Sequence, residues 1–320
     1  MRVSIHAPGP EGHGVVRHAA LVADLVRGRG IRTDATDVDL AHAQFTDSLH
    51  GAGIAQATTV FLDWATTAPR PLVVTLHDVP GGDPGDERDR ARTHGYRRVA
   101  AVCDAVVVSS RHEAVKARGF TDRPVHVIDL PLTPMPDPGP RPWWADRPVL
   151  GVLGFIYPGK GHAEAVAAAA RSPLKPRVVA AGAVSPGHAG LVRSLGDQAR
   201  AHGVDLVITG PLSDAAMAAA AMAITVPLAL NHRVSASGTL LTWWQARRRP
   251  LATPGEYARE LHQRHPHGLT LCADESELDT AVAGALRRSE STWLDQVPAW
   301  PDAGAAHARL YHSLCAVPAC

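Results

Sequence analysis

The sequence predicts an α/β fold made of two Rossmann-like domains. Valine-rich apolar runs of strand length alternate with helical patterns along almost the whole chain, as in parallel sheets flanked by helices. Residues 131–148, PLTPMPDPGPRPWWADRP, interrupt that alternation. Their prolines lack backbone donors and disfavour helix in the residues before them. The alternation then starts again, and 320 residues are enough for two separate cores. The expected division is a first domain over 1–138, a proline-rich linker over 139–148 and a second domain over 149–302. A closing helix over 303–320 is free to pack back on the first domain.

Val3–Ala7 reads as the first strand, and the loop GPEGHG leads from it into a helix over Val15–Arg29 that Gly30 stops. Val15, Ala19, Val22 and Val26 recur at helical spacing and mark its buried face. Leu72–Leu76 and Ala105–Val108 are continuous apolar runs, as expected for strands covered on both faces. Val125–Ile128 reads as another strand. Beyond the prolines, strands are expected at Val149–Leu153, Arg177–Ala181, Asp205–Thr209, 224–230, Leu251–Thr253 and Leu269–Cys272. Helices are expected near 162–171, 188–202, 213–222, 239–248, 255–264, 276–289 and 303–315.

Composition narrows the function classes. A formal net charge of +1 argues against an extended nucleic-acid footprint. The chain opens directly on a strand and contains no apolar run of membrane-spanning length, so a cytoplasmic protein without a transmembrane segment is expected. Cys103, Cys272, Cys315 and Cys320 are scattered with no CxxC pair, which points to free thiols. The sequence is silent on oligomeric state.

Open parallel sheets bind ligands beyond the carboxyl ends of their strands, so each candidate should follow a strand. The most informative stretch is GVLGFIYPGKG, residues 151–161. There a buried strand breaks into a glycine loop that carries Lys160 and Gly161 into an alanine-rich helix. Unpaired N–H groups at a helix start, together with a lysine, make a seat for phosphate. In NHRVSASGT, Arg233 could grip a diphosphate, and the small residues Ser237, Gly238 and Thr239 let backbone approach it closely. Gly210, Pro211 and Leu212 follow a third strand of this half, with Ser213 placed to cap the next helix.

In the first half, Gly9, Gly12 and Gly14 open onto a helix without the GxGxxG spacing, so a dinucleotide site is not supported and a tight turn is the competing reading. His77-Asp78 closes the run VVTLHDVP, where the histidine is either a site residue or a satisfied structural one. His262, His265 and His267 lack an i, i+4 pair, so they read as a solvated helix end and no metal is expected.

Taken in order, these segments resemble the GT-B glycosyltransferases of the large retaining family 4. GPEGHGVVRHAALVADLVRGRG is similar to that family's GGxxRHxxxLAxxLxxxGH. VVTLHDVP resembles its hxTxHD segment, and CDAVVVSS its strand ending in serine. GFIYPGKG resembles GRLxxxKG, VDLVITGPLSD the stretch around the nucleobase, and RRPLAT the motif GxPVVAT.

The resemblance implies two Rossmann-like domains facing across a cleft, the second holding a nucleoside-diphosphate sugar and the first presenting an acceptor. It places His77 near the transferred sugar as the catalytic candidate. It assigns Lys160, Arg233, Ser237, Gly238, Thr239 and Gly14 to the donor diphosphate, and Gly210, Pro211 and Leu212 to the base and ribose. The nucleotide sugar is then a co-substrate and no further cofactor is needed. The acceptor is a small molecule, a glycan or a lipid.

Three positions depart from the family. Phe155 stands where an arginine is usual, and Ser235 and Trp243 stand where the family carries two glutamates around the glycine that Gly238 matches. Trp243 is expected to pack inward. Two other function classes therefore remain: a non-catalytic protein that binds sugar nucleotides or a partner, and an epimerase or phosphorylase on the same scaffold.

Overall fold

A computed structural model describes residues 1–35, 37–83, 85–231 and 235–316. The chain divides into two compact units, Met1–Pro131 with Trp300–Cys320, and Leu132–Ala299.

The first unit runs β1 (Val3–His6), α1 (Gly14–Arg27), β2 (Leu40–Phe45), α2 (Asp47–His50), α3 (Ile54–Ala65), β3 (Leu72–Leu76), α4 (Glu87–Ala101), β4 (Ala105–Val108), α5 (Arg111–Arg118) and β5 (Val125–Val127). Its strands form one parallel sheet in sequential order. The second unit runs β6 (Val149–Leu153), α6 (His162–Arg171), β7 (Arg177–Ala181), α7 (Ala189–Ala201), β8 (Leu206–Ile208), α8 (Asp214–Ala223), β9 (Val226–Ala229), α9 (Gly238–Gln245), β10 (Leu251–Ala252), α10 (Glu256–Arg264), β11 (Thr270–Leu271) and α11 (Glu275–Arg287). The chain then returns to the first unit as α12 (Ala303–Ala316).

The second sheet is parallel throughout, in the order β11-β10-β9-β6-β7-β8. Strand order reverses between β6 and β9, so this is the doubly wound arrangement with its switch point beside β6. Val149–Leu153 is buried along its whole length, as a strand covered on both faces must be.

The first sheet has two cores, one on each face. Ala41, Ala43, Phe45, Leu72, Val74 and Leu76 face Phe61, Tyr96, Val99 and Ala114 from α3, α4 and α5. Val3, Leu40, Val73, Ala105 and Val107 face Val22 and Val26 of α1 and Leu310 and Tyr311 of α12. Apolar periodicity does not mark β2. Its sequence LAHAQF is buried at every position, yet its strand alternation places His42 and Gln44 in the core as hydrogen-bonded polar groups.

The division between the units falls at Pro131/Leu132 and at Ala299/Trp300, rather than at 138, 148 and 302. The proline-rich segment is packed against the second unit. Gln245 Nε2 donates to Thr133 Oγ1 at 2.9 Å, and the Gly139 N–H donates to the Ala215 carbonyl at 2.9 Å. Arg177 donates to the Trp144 carbonyl and Asp146 Oδ1, each at 2.6 Å, and to Asp205 Oδ2 at 2.7 Å. Prolines remove donors, but the carbonyls and other side chains of such a segment still bond. At the other boundary, Trp300 Nε1 donates to the Leu130 carbonyl at 2.8 Å, both within the first unit.

Arg248 is a second anchor of the second unit. Fully buried, its guanidinium donates to the Ala221, Met222 and Thr225 carbonyls and to Thr292 Oγ1, with the Trp293 ring 4.3 Å away. It satisfies carbonyls at the end of α8, where the helix dipole favours a cation.

Candidate functional site

Two of the second-unit candidate segments, the Lys160 loop and the start of α9, meet at the switch point. β6 ends at Leu153 and the chain turns through Gly154 to Lys160, while Gly161 takes φ +98° as the N-cap of α6. A Cβ on Gly161 would lie 2.5 Å from Leu230 Cβ, so only glycine lets the loop close against the end of β9. That closure folds Lys160 inward, to 6% exposure. Its Nζ donates to Thr239 Oγ1 at 3.0 Å, and the Tyr157 ring lies 5.7 Å away. The bond joins the loop after β6 to the helix that follows β9, across the point where strand order reverses.

Burial pushes the Lys160 ammonium down from 10.5 to about 8. Among the described residues no carboxylate pairs with it, so the charge is available to an anion. Ser237 caps α9, its Oγ accepting from the Leu240 N–H at 3.3 Å. A Cβ on Gly238 would meet nothing within 4 Å. The first turn of α9 therefore brings Ser237, Gly238 and Thr239 beside Lys160 with open space at the glycine. Arg233 lies outside the described residues.

Gly210, Pro211 and Leu212 follow β8, two strands away from β6. They connect to the lysine loop through backbone groups and the Thr209 hydroxyl. The Gly154 N–H donates to the Ala181 carbonyl at 3.0 Å, and the Gly182 N–H donates to Thr209 Oγ1 at 3.0 Å, which donates to the Gly210 carbonyl at 2.8 Å. A Cβ on Gly182 would lie 2.1 Å from the Gly154 carbonyl oxygen, which fixes how closely these two strand ends approach. Thr239, Lys160, Gly154, Gly182, Thr209 and Gly210 thus make one continuous rim along the carboxyl ends of β9, β6, β7 and β8.

Two residues of this rim carry no role in the sequence reading. Asn231, at the carboxyl end of β9, is 5% exposed and its Nδ2 has no hydrogen-bond partner. Tyr157 stacks beside the ammonium. Position after a strand is the signal that marks both. Behind them, His162 is buried without a partner for either ring nitrogen, and burial followed by the Lys160 charge pushes it down to about 4.

The departures from the family pattern also have clear places. Trp243 is fully buried and its Nε1 donates to the Leu228 carbonyl of β9 at 3.3 Å, so it packs inward as expected. Phe155 is 41% exposed on the loop before Lys160. Among the described residues no cluster of His, Cys, Asp and Glu side chains could hold a metal ion. No helix among them is long and apolar enough to cross a membrane.

In the first unit, His77 follows β3 and is half-buried. Its Nε2 bonds Gln44 Oε1 at 2.9 Å, its carbonyl accepts from Tyr96 Oη at 2.7 Å, and the His18 ring meets it edge-on at 5.2 Å. Burial, then the facing His13, holds it down at about 4, so it is neutral at physiological pH. The next residue, Asp78, takes φ +52°, a strained position for a side-chain-bearing residue, with Arg92 donating to its carbonyl at 2.8 Å. Arg92 also grips Asp47 at 3.1 and 3.2 Å.

Gly14 opens α1, where His13 Nδ1 accepts the Val15 N–H at 3.2 Å. The serines that end CDAVVVSS are committed to a helix start. Ser110 Oγ accepts from the Glu113 N–H at 3.3 Å, and Glu113 Oε2 accepts from the Ser109 N–H at 3.1 Å and from Ser110 Oγ at 2.9 Å.

No protein-family model matches the chain, and no curated protein matches it in sequence. Solved structures do match in fold. Sucrose-phosphate synthase from Thermosynechococcus elongatus superposes with a TM-score of 0.68 at 13% identity, covering 98% of this chain and 94% of that one. Anabaena HepE in complex with UDP gives 0.68 at 14% identity, covering 98% and 95%. WaaG, a glycosyltransferase involved in lipopolysaccharide biosynthesis, gives 0.61 at 14% identity, covering 98% and 97%. At such identities the likeness is one of fold, and it spans nearly the whole of both chains. The chain therefore has the GT-B glycosyltransferase fold, an α/β fold of two Rossmann-like units.

Proposed function

We propose that the protein is a glycosyltransferase whose second unit binds a nucleoside-diphosphate sugar and whose first unit presents the acceptor. The observation that carries this reading is the buried Lys160 ammonium, bonded to Thr239 across the switch point of the second sheet. Doubly wound sheets bind nucleotides there, and the neighbouring α9 N-terminus adds backbone N–H groups and positive potential. HepE, whose fold this chain shares, has been captured with UDP, UDP-glucose, and UDP with glucose.

Departure of a nucleoside diphosphate builds negative charge on its terminal phosphate. A cation and N–H donors already fixed at that point stabilise the transition state more than the ground state. Ser237, Gly238, Thr239 and Arg233 complete the diphosphate seat, and Gly14 is assigned to the same diphosphate. Gly210, Pro211 and Leu212 hold the base and ribose. His77 sits near the transferred sugar, and transfer proceeds with retention. No cofactor beyond the donor is required, and the acceptor is a small molecule, a glycan or a lipid.

Ser235 and Trp243, in place of the family's glutamates, favour a second reading in which the protein binds sugar nucleotides without turnover. One set of measurements separates the two. Thermal shift against UDP-, GDP- and dTDP-linked sugars identifies the donor, since a ligand of the native state raises apparent stability by mass action. Release of nucleoside diphosphate with candidate acceptors then reports transfer. Binding without turnover supports the second reading, and absence of any nucleotide binding defeats both.

A further inference from the structure

The core that joins β2, β3 and α12 contains a chain of polar side chains ending at His77. Tyr311 Oη meets His42 Nδ1 at 2.6 Å, and Thr75 Oγ1 meets His42 Nε2 at 2.7 Å. Gln44 Nε2 lies 3.3 Å from His42 Nε2, and Gln44 Oε1 lies 2.9 Å from His77 Nε2. His42, Gln44, Thr75 and Tyr311 are all buried to 1% exposure or less. Around them, His307 Nδ1 donates to the Ala303 carbonyl at 2.8 Å, and the His18 ring abuts His77.

With the Gln44 amide oriented as it stands, Nε2 toward His42 and Oε1 toward His77, donor and acceptor rules give this chain one polarity. An amide NH₂ only donates, so His42 Nε2 must offer its lone pair to Gln44, and the Thr75 hydroxyl donates to the same nitrogen. Burial keeps His42 neutral, so its single proton is on Nδ1 and is donated to Tyr311. At the other end the amide oxygen only accepts, so His77 Nε2 carries the proton. His77 Nδ1 is left with its lone pair and with no hydrogen bond among the described residues.

We propose that Tyr311 and His42 are positioning residues which, through Gln44, fix the tautomer of His77 so that Nδ1 accepts a hydrogen bond from the hydroxyl of the sugar acceptor. The role of the acceptor hydroxyl rests on the transferase reading, whereas the relay itself does not. Its logic is that of second-layer groups setting which nitrogen of a histidine is free to act. The residue that starts it comes from α12, far along the chain from β2 and β3.

The test is long-range proton–nitrogen NMR on protein labelled at histidine, with His42 and His77 assigned from the signals lost in His42→Ala and His77→Ala. The native protein should show His77 protonated on Nε2 and His42 on Nδ1. Tyr311→Phe removes the acceptor for His42 Nδ1–H, so His42 should move its proton to Nε2, the Gln44 amide should reverse, and the two nitrogen shifts of His77 should interchange. Adding Gln44→Glu to that variant, a group that only accepts, should return His77 to the Nε2–H form. In Gln44→Glu alone, which serves if Tyr311→Phe does not fold, His42 should interchange and His77 should not.

His77 protonated on Nδ1 in the native protein overturns the proposal. So does a folded Tyr311→Phe variant with His77 unchanged, or an unchanged His42 in Gln44→Glu. None of these spectra needs a donor or acceptor, so the relay can fail while the transferase reading stands, and the reverse. If both hold, Tyr311→Phe lowers kcat at least tenfold with the KM for donor unchanged.

Discussion

Lys160 shows the tension within a site residue between stability and binding. Its folded pKa of about 8 lies below the ordinary 10.5, so burial of the charged form costs about 3 kcal/mol at neutral pH. The unfolded chain holds that proton more tightly, so the ligand-free protein should gain stability from this group as pH rises from about 8 to 10.5. Lys160→Met should remove the cost and raise the ligand-free melting temperature by several degrees, as calorimetry will show.

The same substitution should weaken nucleoside diphosphate affinity by about 1.5–3 kcal/mol, the worth of a charge-assisted hydrogen bond. Unchanged calorimetric affinity would remove the main support for the donor site. For the native protein, diphosphate affinity should fall as pH rises above about 8, where the free ammonium loses its proton. Lys160 and the loop beside it were legible in the sequence, because a glycine loop after a buried strand is a local pattern. Asn231 was not, since its burial depends on how the end of β9 meets its neighbours in the fold.

At the level of elements, two glycines beside the lysine should respond oppositely to added bulk. Gly161→Ala places a Cβ against Leu230 at a φ of +98°, a combination of strain and overlap that should destabilise the second unit by about 1–3 kcal/mol. Gly238→Val has open space and no such φ, so it should fold normally and lose diphosphate binding by steric exclusion. Chemical denaturation and calorimetry on the two variants check both halves of this expectation.

Arg248→Ala should cost about 3 kcal/mol or more, because it leaves buried carbonyls at the end of α8 without donors. Such an arginine is not legible in sequence, because its partners Ala221, Met222, Thr225 and Thr292 lie more than twenty residues away along the chain. β2 illustrates the same limit. Its polar residues are satisfied by partners from β3 and from α12, remote in the chain, and no local pattern announces them. The second sheet was more legible, since strands covered on both faces leave continuous apolar runs.

For the molecule as a whole, the dense proline run is legible as an interruption of strand and helix, but the units divide at Pro131/Leu132, at its leading edge, and not within it. The sequence could not show which side that run packs against, which depends on Gln245, Ala215 and Arg177. With this segment included, residues 132–299 expressed alone should fold and retain nucleotide affinity. The complementary deletion of residues 300–320 should unfold the first unit, since α12 supplies Ala303, Leu310 and Tyr311 to one of its two cores. Limited proteolysis of each truncated chain distinguishes a folded unit from an unfolded one.

The return of the chain at Trp300 also sets an order of events during synthesis. Domains commonly fold from the N-terminus as they leave the ribosome. Here the first unit waits for α12, while every strand and helix of the second unit has by then been translated. Until that last helix emerges, the face of the first sheet that carries Leu40, Val73 and Val107 lacks part of its cover. The first unit is thus expected to complete its fold after the second, although most of it is encoded first.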